Sequence, residues 1–273
     1  MLGSTTVAGY DCVPFPMPKP TPNPAIPVDV LLEDPDFVVV LKPTGLVSEP
    51  GLGHAADSVL NGAFARWGDR LGLMGEPRDH GLVHRLDRDA SGALVIALSP
   101  AAYDGIRAQF EARTVRKRYL AIVEGKPPRG EGTCELPIEE ARRGDMKIAV
   151  VGRRGAARPA LTRWRTLAST KSRTLLEVEI ETGRLHQIRA HMAAVGCPVV
   201  NDRVYRVDLP PNTSKPQKGR PGAPLALHAG IIAFRHPKSG AEIEVSCPVP
   251  DHFAEIAVTS GLTLPRAFAP RPG

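Results

Sequence analysis

The fold is decided by the stretch Gly81-Leu82-Val83-His84-Arg85-Leu86-Asp87-Arg88-Asp89-Ala90-Ser91-Gly92, where a cluster of charge lies between two apolar segments. The apolar residues that follow, 93–98, predict a buried strand. Asp87 stands between Arg85 and Arg88 in the sequence, and a nearby opposite charge favours the ionised carboxylate. That is the form a nucleophile or base requires. An exposed turn with solvated salt bridges would explain these residues equally well, so the case for catalysis depends on the rest of the chain.

Length and composition restrict the class of protein. A chain of 273 residues can bury a substantial core, and its net charge of +6 favours a polyanionic partner such as nucleic acid. The four cysteines form no C-x-x-C pair, which predicts free thiols in a reducing compartment. No signal peptide and no membrane-spanning apolar run is evident. We therefore expect a cytoplasmic monomer without membrane association.

The pattern along the chain predicts one folded domain between two tails. Proline at every second position from 14 to 24 predicts an extended N-terminal tail over 1–28. A catalytic domain is expected over 29–255 and a Pro-rich C-terminal tail over 256–273. Helices are predicted over 57–68, from Pro100 onward, and over 184–195. Strands are predicted at 30–32, 37–41, 93–98, 119–123, several places in 131–181, 225–235 and 241–246. This mixture favours an α+β fold, a mostly antiparallel mixed sheet with flanking helices and loops.

Two further segments suggest a site. In the predicted helix 184–195, Arg184 and Arg189 fall at the borders of an apolar stripe, so both stems should be partly buried and require a carboxylate or phosphate. The segment 141–165 contains eight basic residues and a single acidic one, Asp145. This excess of positive charge predicts a surface that binds the phosphates of a nucleic acid. A solvated edge that resists strand aggregation is the alternative. The basic residues are Arg142, Arg143, Lys147, Arg153, Arg154, Arg158, Arg163 and Arg165.

Other chemistries fit poorly. His186 and His191 are spaced i, i+5, so their rings should point apart on a helix, and no metal site is expected. Asp87 and Asp89 alternate on an extended segment and should face opposite ways, which argues against a hydrolase with two facing carboxylates.

Several short motifs occur together along the chain. They are His84-Arg85-Leu86-Asp87-x-x-x-Ser91-Gly92, Thr182-Gly183-Arg184-x-His186-Gln187-Ile188-Arg189-x-His191, Gly196-x-Pro198, Asp202-x-x-Tyr205, Lys42-Pro43-x-Gly45, Lys117-x-Tyr119-x-Ala121 and Leu227-His228-Ala229. With these motifs the chain resembles the RluA family of RNA pseudouridine synthases over about residues 28–253. Two departures are that Ala90 stands where the family usually has Thr, and that residues 1–28 cannot form the S4 domain of many members. The resemblance is therefore to the single-domain members.

The resemblance implies an isomerase that converts uridine to pseudouridine in ribosomal RNA, transfer RNA or both, without a cofactor. It implies that Asp87 is the nucleophile, that Arg189 pairs with it, and that Tyr119 stacks on a flipped-out uracil. Attack at C1′ and a glycal route remain open. The remaining expected site residues are Arg85, His84, Arg88, Arg184, Lys117, Arg153 and Arg154 for RNA binding, and Leu86 and Ile188 for the pocket wall. An RNA-binding protein with a dead site and a nucleoside-processing hydrolase are the alternative functions.

Overall fold

The computed structural model describes residues 19–51, 53–144, 146–152, 155–205 and 222–269. The strands are β1 Asp29–Glu33, β2 Phe37–Lys42, β3 Ser91–Ala97, β4 Arg116–Glu124, β5 Glu131–Cys134, β6 Ile138–Arg143, β7 Met146–Val151, β8 Thr162–Ser169, β9 Arg173–Ile180, β10 Leu227–Arg235 and β11 Glu242–Ser246. The α-helices are α1 Val59–Gly72, α2 Pro100–Glu111, α3 Gln187–Ala194 and α4 Asp251–Thr259, and short 3-10 helices lie at Glu76–Gly81 and Arg266–Phe268.

Nine strands form one mixed sheet in the order β1-β2-β3-β10-β4-β9-β8-β5, with β11 paired to β10 beyond the end of β3. The β3–β10 pair is parallel and the other pairs of this sheet are antiparallel. A separate hairpin is formed by β6 and β7. The predicted α+β fold on a mostly antiparallel mixed sheet is confirmed.

The two faces of the sheet are covered by different helices. Along β2, Val38 and Val40 belong to the apolar cluster that also contains residues of α1, α3 and α4. Phe37 and Val39 belong to the second cluster, which α2 covers. This alternation is the period of two expected when both faces of a strand are buried.

Helix starts follow the local sequence signals. Ser58 caps α1 in a reciprocal capping box with Asn61, and Ser99 followed by Pro100 starts α2. The third predicted helix begins later than expected, at Gln187, because His186 adopts a left-handed backbone conformation with φ 48°. Helix α4 was not predicted.

Gly92 allows the parallel strands β3 and β10 to approach closely. Its φ is 133°, and a Cβ at this position would lie 2.4 Å from the carbonyl oxygen of Ala229. The register then runs from Lys42 to Gly92, from Gly92 to Ala229 and from Ala229 to Tyr119. Tyr119 is thereby placed in the same row of the sheet as the end of the Asp87 segment.

Described residues beyond the predicted domain limits pack on the domain at both ends, and the limits themselves stay a prediction. Residues 1–18 and 270–273 lie outside the described residues, but the described part of each predicted tail packs on the domain. Asn61 donates from its side chain to Thr21, and the Asn23 amide donates to Asn61. Phe268 is buried beyond the predicted limit at 255. No helix in the described ranges has the length and apolarity to cross a membrane.

Candidate active site

Backbone contacts hold the segment that carries Asp87. Leu82 forms a β-bridge with Ile96. The Leu86 amide donates to Ser48 Oγ at 3.1 Å, and the same hydroxyl donates to the Leu86 carbonyl at 3.0 Å. The Ala90 amide donates to the Asp87 carbonyl at 3.1 Å, closing a turn. The segment is thus tied to its neighbours on both sides of Asp87, as a precise catalytic group requires.

The Lys42 side chain holds this segment through hydrogen bonds to backbone carbonyls. Its side chain is fully buried, and Nζ donates to the carbonyls of Pro43, Leu46 and Arg88 at 2.8, 2.6 and 2.9 Å. Burial lowers the pKa of Lys42 to about 7, against the opposing effect of the Asp87 and Asp89 charges. One side chain therefore connects the turn after β2 to the turn that carries Asp87.

Arg189 of α3 contacts two carboxylates. Nη1 donates to Asp87 Oδ2 at 3.2 Å, while Nε and Nη2 donate to the two oxygens of Asp202 at 2.7 and 3.1 Å. The Arg189 side chain is only 4% exposed. Burial disfavours its charge, but the hydrogen bonds and charges of Asp202 and Asp87 outweigh that effect and raise the pKa of Arg189 above its usual value. The guanidinium therefore stays cationic beside Asp87.

Asp202 orients the guanidinium. Its side chain is fully buried, and Oδ1 also accepts from the amides of Val204 and Tyr205 at 2.8 and 3.0 Å. With both oxygens engaged, Asp202 fixes the plane of Arg189 in the bidentate geometry that carboxylates and guanidinium groups favour. Asp87, at 22% side-chain exposure, is the carboxylate of the two that a substrate can reach.

His186 and Tyr205 complete the polar part of the site. His186 Nδ1 lies 2.8 Å from Tyr205 Oη, and His186 Nε2 lies 4.0 Å from Asp87 Oδ2. The Tyr205 ring stacks under Arg189, with Cζ 5.2 Å from the ring centroid. Burial raises the pKa of Tyr205 to about 12 and lowers the pKa of His186, so both groups are neutral.

An apolar wall lies next to these polar groups. Leu86, Tyr119 and Ile188 are buried members of one cluster, on the face of the sheet covered by α1 and α3. A partly exposed carboxylate, a fixed buried cation and an apolar wall with an aromatic ring suit nucleophilic or base chemistry on a flat, uncharged ligand.

One group of possible metal ligands exists among the described residues, but it lies elsewhere. Asp34, Asp36 and His236 have ligand atoms within 4.8 Å of one another, at the opposite end of β2 from Lys42. Lys238 Nζ lies 2.7 Å from Asp36, and Ser99 donates to the same carboxylate. Lys238 therefore offsets one of the two carboxylate charges of the group.

Comparison with known proteins identifies the family of this chain. The family model described as RNA pseudouridylate synthase matches residues 36–194. The chain belongs to the RNA pseudouridylate synthase family. An uncharacterised RNA pseudouridine synthase of Synechocystis sp. is 37% identical over 233 residues, covering 85% of this chain and 69% of that protein. The ribosomal large subunit pseudouridine synthase D of Zymomonas mobilis is 33% identical over 248 residues, covering 89% and 77%.

The fold agrees. The solved structure of human RNA pseudouridylate synthase domain containing 4 matches with a TM-score of 0.66 at 24% identity, covering 87% of this chain and 95% of that one. The predicted resemblance to the RluA family and the predicted isomerase activity on RNA are thus confirmed. As a pseudouridine synthase, the protein acts on an RNA substrate.

Three of the expected RNA-binding arginines have protein partners at or near the surface. Arg85 pairs with Glu49 at 2.5 Å and Arg88 pairs with Asp89 at 3.0 Å, and both side chains are more than half exposed. Arg184 lies before α3 rather than on it, and its Nε donates to the carbonyl of Pro159 at 3.1 Å. Of the two arginines predicted at the edges of the helix's apolar stripe, only Arg189 lies on the helix.

His84 and Lys117 differ from the expectation of an RNA-facing position. The His84 ring stacks on Phe110 of α2 at 4.9 Å between centroids, and Nε2 accepts from the Val95 amide at 3.0 Å. Lys117 is buried, with Nζ 5.7 Å from the same Phe110 ring, and burial lowers its pKa to about 8. Both side chains pack against Phe110 of α2, and an RNA-binding role for them stays a prediction.

The predicted basic surface divides into two parts. Arg163 pairs with Glu181 and Arg165 with Glu177, so these two charges on β8 are locally neutralised. The β6–β7 hairpin instead exposes Arg142, Arg143 and Lys147. Arg153 and Arg154 lie outside the described residues, and their role stays a prediction.

Sequence reasoning missed Lys42, His186, Asp202 and Tyr205 as site residues. The signal for the last two was the spacing Asp202-x-x-Tyr205, which places an acceptor and a ring in one short turn. The distance along the chain between Arg189 and Asp202 conceals their pairing, since only the fold brings the two together.

Proposed function

We propose that this pseudouridine synthase modifies uridines of ribosomal RNA, with Asp87 as the catalytic carboxylate. The observation that carries the proposal is the bridge that Arg189 makes between Asp87 and the fully buried Asp202. The ribosomal substrate is supported by the name of the relative from Zymomonas mobilis. Transfer RNA is the second substrate to test.

The proposed role of Asp87 follows from its charge and position. During the reaction the C1′–N1 bond breaks, the uracil turns, a C1′–C5 bond forms, and the hydrogen of C5 is replaced by one on N1, so no oxidant or energy source is needed. Attack of the carboxylate at C1′ and proton removal toward a glycal both need an ionised Asp87. The buried Arg189 cation donates to Oδ2 and holds the carboxylate in place.

The proposed uracil pocket is the apolar wall of Leu86, Tyr119 and Ile188. An uncharged, planar base gains free energy by leaving water for such a surface, and the Tyr119 ring offers a stacking partner. Because the glycosidic bond of a stacked nucleotide is inaccessible, the uridine must be flipped out. Arg85, exposed at the edge of the same segment, is positioned to hold the displaced strand.

The RNA-binding surface we propose consists of Arg85, Arg88, Arg184 and the β6–β7 hairpin, with Arg153 and Arg154 added from the sequence. We further propose that the protein is a monomer and that it works in the cytoplasm, where ribosomal RNA is found. The catalytic domain would extend over all described residues, since both predicted tails have parts that pack on it.

The test is pseudouridine mapping of total RNA from a strain that lacks the protein, complemented with wild type, Asp87→Asn or Asp89→Asn. Asp89 is the matched control because it is the neighbouring carboxylate and pairs with exposed Arg88. We expect a ribosomal position to return with wild type and Asp89→Asn but not with Asp87→Asn. Restoration by Asp87→Asn would refute the catalytic assignment, and a missing position found only in transfer RNA would refute the substrate.

A further inference from the structure

The hydroxyl of Tyr205 has two polar neighbours, and their chemistry sets the direction of its hydrogen bonds. The Ala149 amide donates to Oη at 2.7 Å, and a backbone N–H can only donate. His186 Nδ1 lies 2.8 Å from the same oxygen. No other partner of this hydroxyl is found among the described residues. The arrangement that satisfies every group is therefore Ala149 N–H to Tyr205 Oη, and Tyr205 O–H to His186 Nδ1.

This direction fixes the tautomer of His186. When Nδ1 accepts a hydrogen bond, the proton of a neutral imidazole is on Nε2. Nε2 lies 4.0 Å from Asp87 Oδ2, the same oxygen that Arg189 contacts at 3.2 Å. Oδ2 is therefore the Asp87 oxygen that both nitrogens approach.

The backbone of His186 gives independent support. His186 has φ 48°, a left-handed conformation that is strained for a non-glycine residue. Such strain persists only where surrounding contacts enforce it. The strained position places the ring between Tyr205 and Asp87, while Gln187 and the following residues continue into α3.

We propose that Tyr205 and His186 are positioning residues for Asp87, in which the Tyr205 hydroxyl holds His186 as the Nε2–H tautomer so that this N–H and Arg189 together fix Oδ2. The 4.0 Å separation is too long for a hydrogen bond, so the proposal requires that it close when RNA binds, as catalytic contacts commonly do. The inference rests on the proposed role of Asp87. It adds the His186 Nε2–H as a neutral donor. The Ala149 amide on β7 orients this donor, because its hydrogen bond to Tyr205 Oη leaves the Tyr205 hydroxyl to donate to His186 Nδ1.

The first test is ¹⁵N NMR of histidine-labelled, RNA-free protein, with the His186 signals assigned by their absence in His186→Gln. We expect wild-type His186 to show an unprotonated Nδ1 and a protonated Nε2. In Tyr205→Phe, both signals should move toward the average of the two tautomers. The control is Tyr103→Phe, which removes a hydroxyl bonded to Asp79 on the 3-10 helix next to α2. A protonated Nδ1 in wild type, or unchanged signals in Tyr205→Phe, would overturn the proposal.

The second test separates positioning from a general structural role. Tyr205→Phe should lower kcat about 10-fold with little change in KM, an effect typical of groups that orient a functional side chain. His186→Gln keeps an N–H donor at a reach similar to Nε2, and His186→Leu does not. We expect the Gln variant to exceed the Leu variant about 10-fold in kcat. Equal activity of these two variants would refute the inference, whereas full activity of Asp87→Asn would refute the proposed function and leave the NMR result standing.

Discussion

At the scale of single residues, Arg189 shows why a buried charge is tolerated here. Removing a guanidinium from water costs several kcal/mol, and that cost is offset only by close, well-oriented partners. Asp202 supplies two hydrogen bonds with both oxygens, and Asp87 supplies the third. The pair Arg189–Asp202 thus forms a rigid support that holds the partly exposed Asp87.

His84 allows a prediction about pH and stability. Burial, together with the charges of Lys117 and Arg107, lowers the pKa of His84 to about 3, and Nε2 needs its lone pair to accept from Val95. Since the folded pKa lies below the unfolded value of about 6.5, the unfolded chain binds more protons between these limits. This contribution to stability is therefore fully present above pH 6.5 and is lost as the pH falls toward 3.

The measurement is urea unfolding of wild type and His84→Gln at pH 7 and pH 5. Gln can accept the Val95 hydrogen bond but does not titrate. We expect wild type to lose about 2 kcal/mol more than the variant over this range, by linkage. Parallel pH curves for the two proteins would show that His84 does not titrate between folded and unfolded states as stated.

The sequence indicated the proposed catalytic carboxylate more easily than the side chains that support it. Asp87 and Arg189 each stand out locally, one in a charge cluster and one at the edge of an apolar stripe, whereas their pairing was implied by the resemblance to the RluA family. The supports are a buried lysine on β2, an aspartate 13 residues after Arg189 and a tyrosine beyond it. Their roles arise from contacts across the fold, which no local pattern encodes.

At the scale of elements, the β6–β7 hairpin and strand β8 carry similar numbers of arginines but differ in what surrounds them. Arg142 and Lys147 face each other across the hairpin and are exposed. On β8, Arg163 and Arg165 have glutamates from the neighbouring segment of the sheet. A phosphate can approach the hairpin directly, whereas on β8 it must displace a carboxylate.

We therefore predict that Arg142→Gln/Lys147→Gln weakens RNA binding and flattens its salt dependence. Two lost phosphate contacts should reduce the slope of log K against log salt by about 1.4 to 1.8. Arg163→Gln/Arg165→Gln removes the same net charge and should change the slope by less than half as much. Binding titrations at several salt concentrations decide this, and equal changes in both variants would indicate a general charge effect instead of hairpin contacts.

Strands and capped helices were predictable because their signals are local. Alternating apolar residues, Ser58 and Ser99 as caps, and Pro100 at the start of α2 all act within one turn or strand. The late start of α3 was not predictable, since the left-handed His186 is held by Tyr205, which lies 19 residues later. Helix α4 was missed because the Pro-rich sequence around it indicates a tail.

At the scale of the whole molecule, the chain beyond residue 255 closes the core. The Phe268 ring occupies the space where a Cβ on Gly230 would lie, at 2.7 Å, and the Val249 amide donates to the Phe268 carbonyl. Leu262 is buried as well. Strand β10 pairs with β3 on one side and β4 on the other, and so joins the two halves of the sheet. It is covered by a segment whose composition alone predicts an exposed tail.

This packing predicts the effect of Phe268→Ala. Truncating a buried phenylalanine leaves a cavity and costs about 3 kcal/mol or more, so the midpoint of urea unfolding should fall clearly. The matched control is Val258→Ala on α4, where the side chain is 74% exposed and the expected change is within about 0.5 kcal/mol. Gly230 lies next to Ala229, which pairs with both Gly92 and Tyr119. Loss of the Phe268 ring should therefore also reduce pseudouridine formation near the unfolding midpoint. Equal unfolding midpoints for the two variants would mean that residues 256–269 are the dispensable tail that composition predicts.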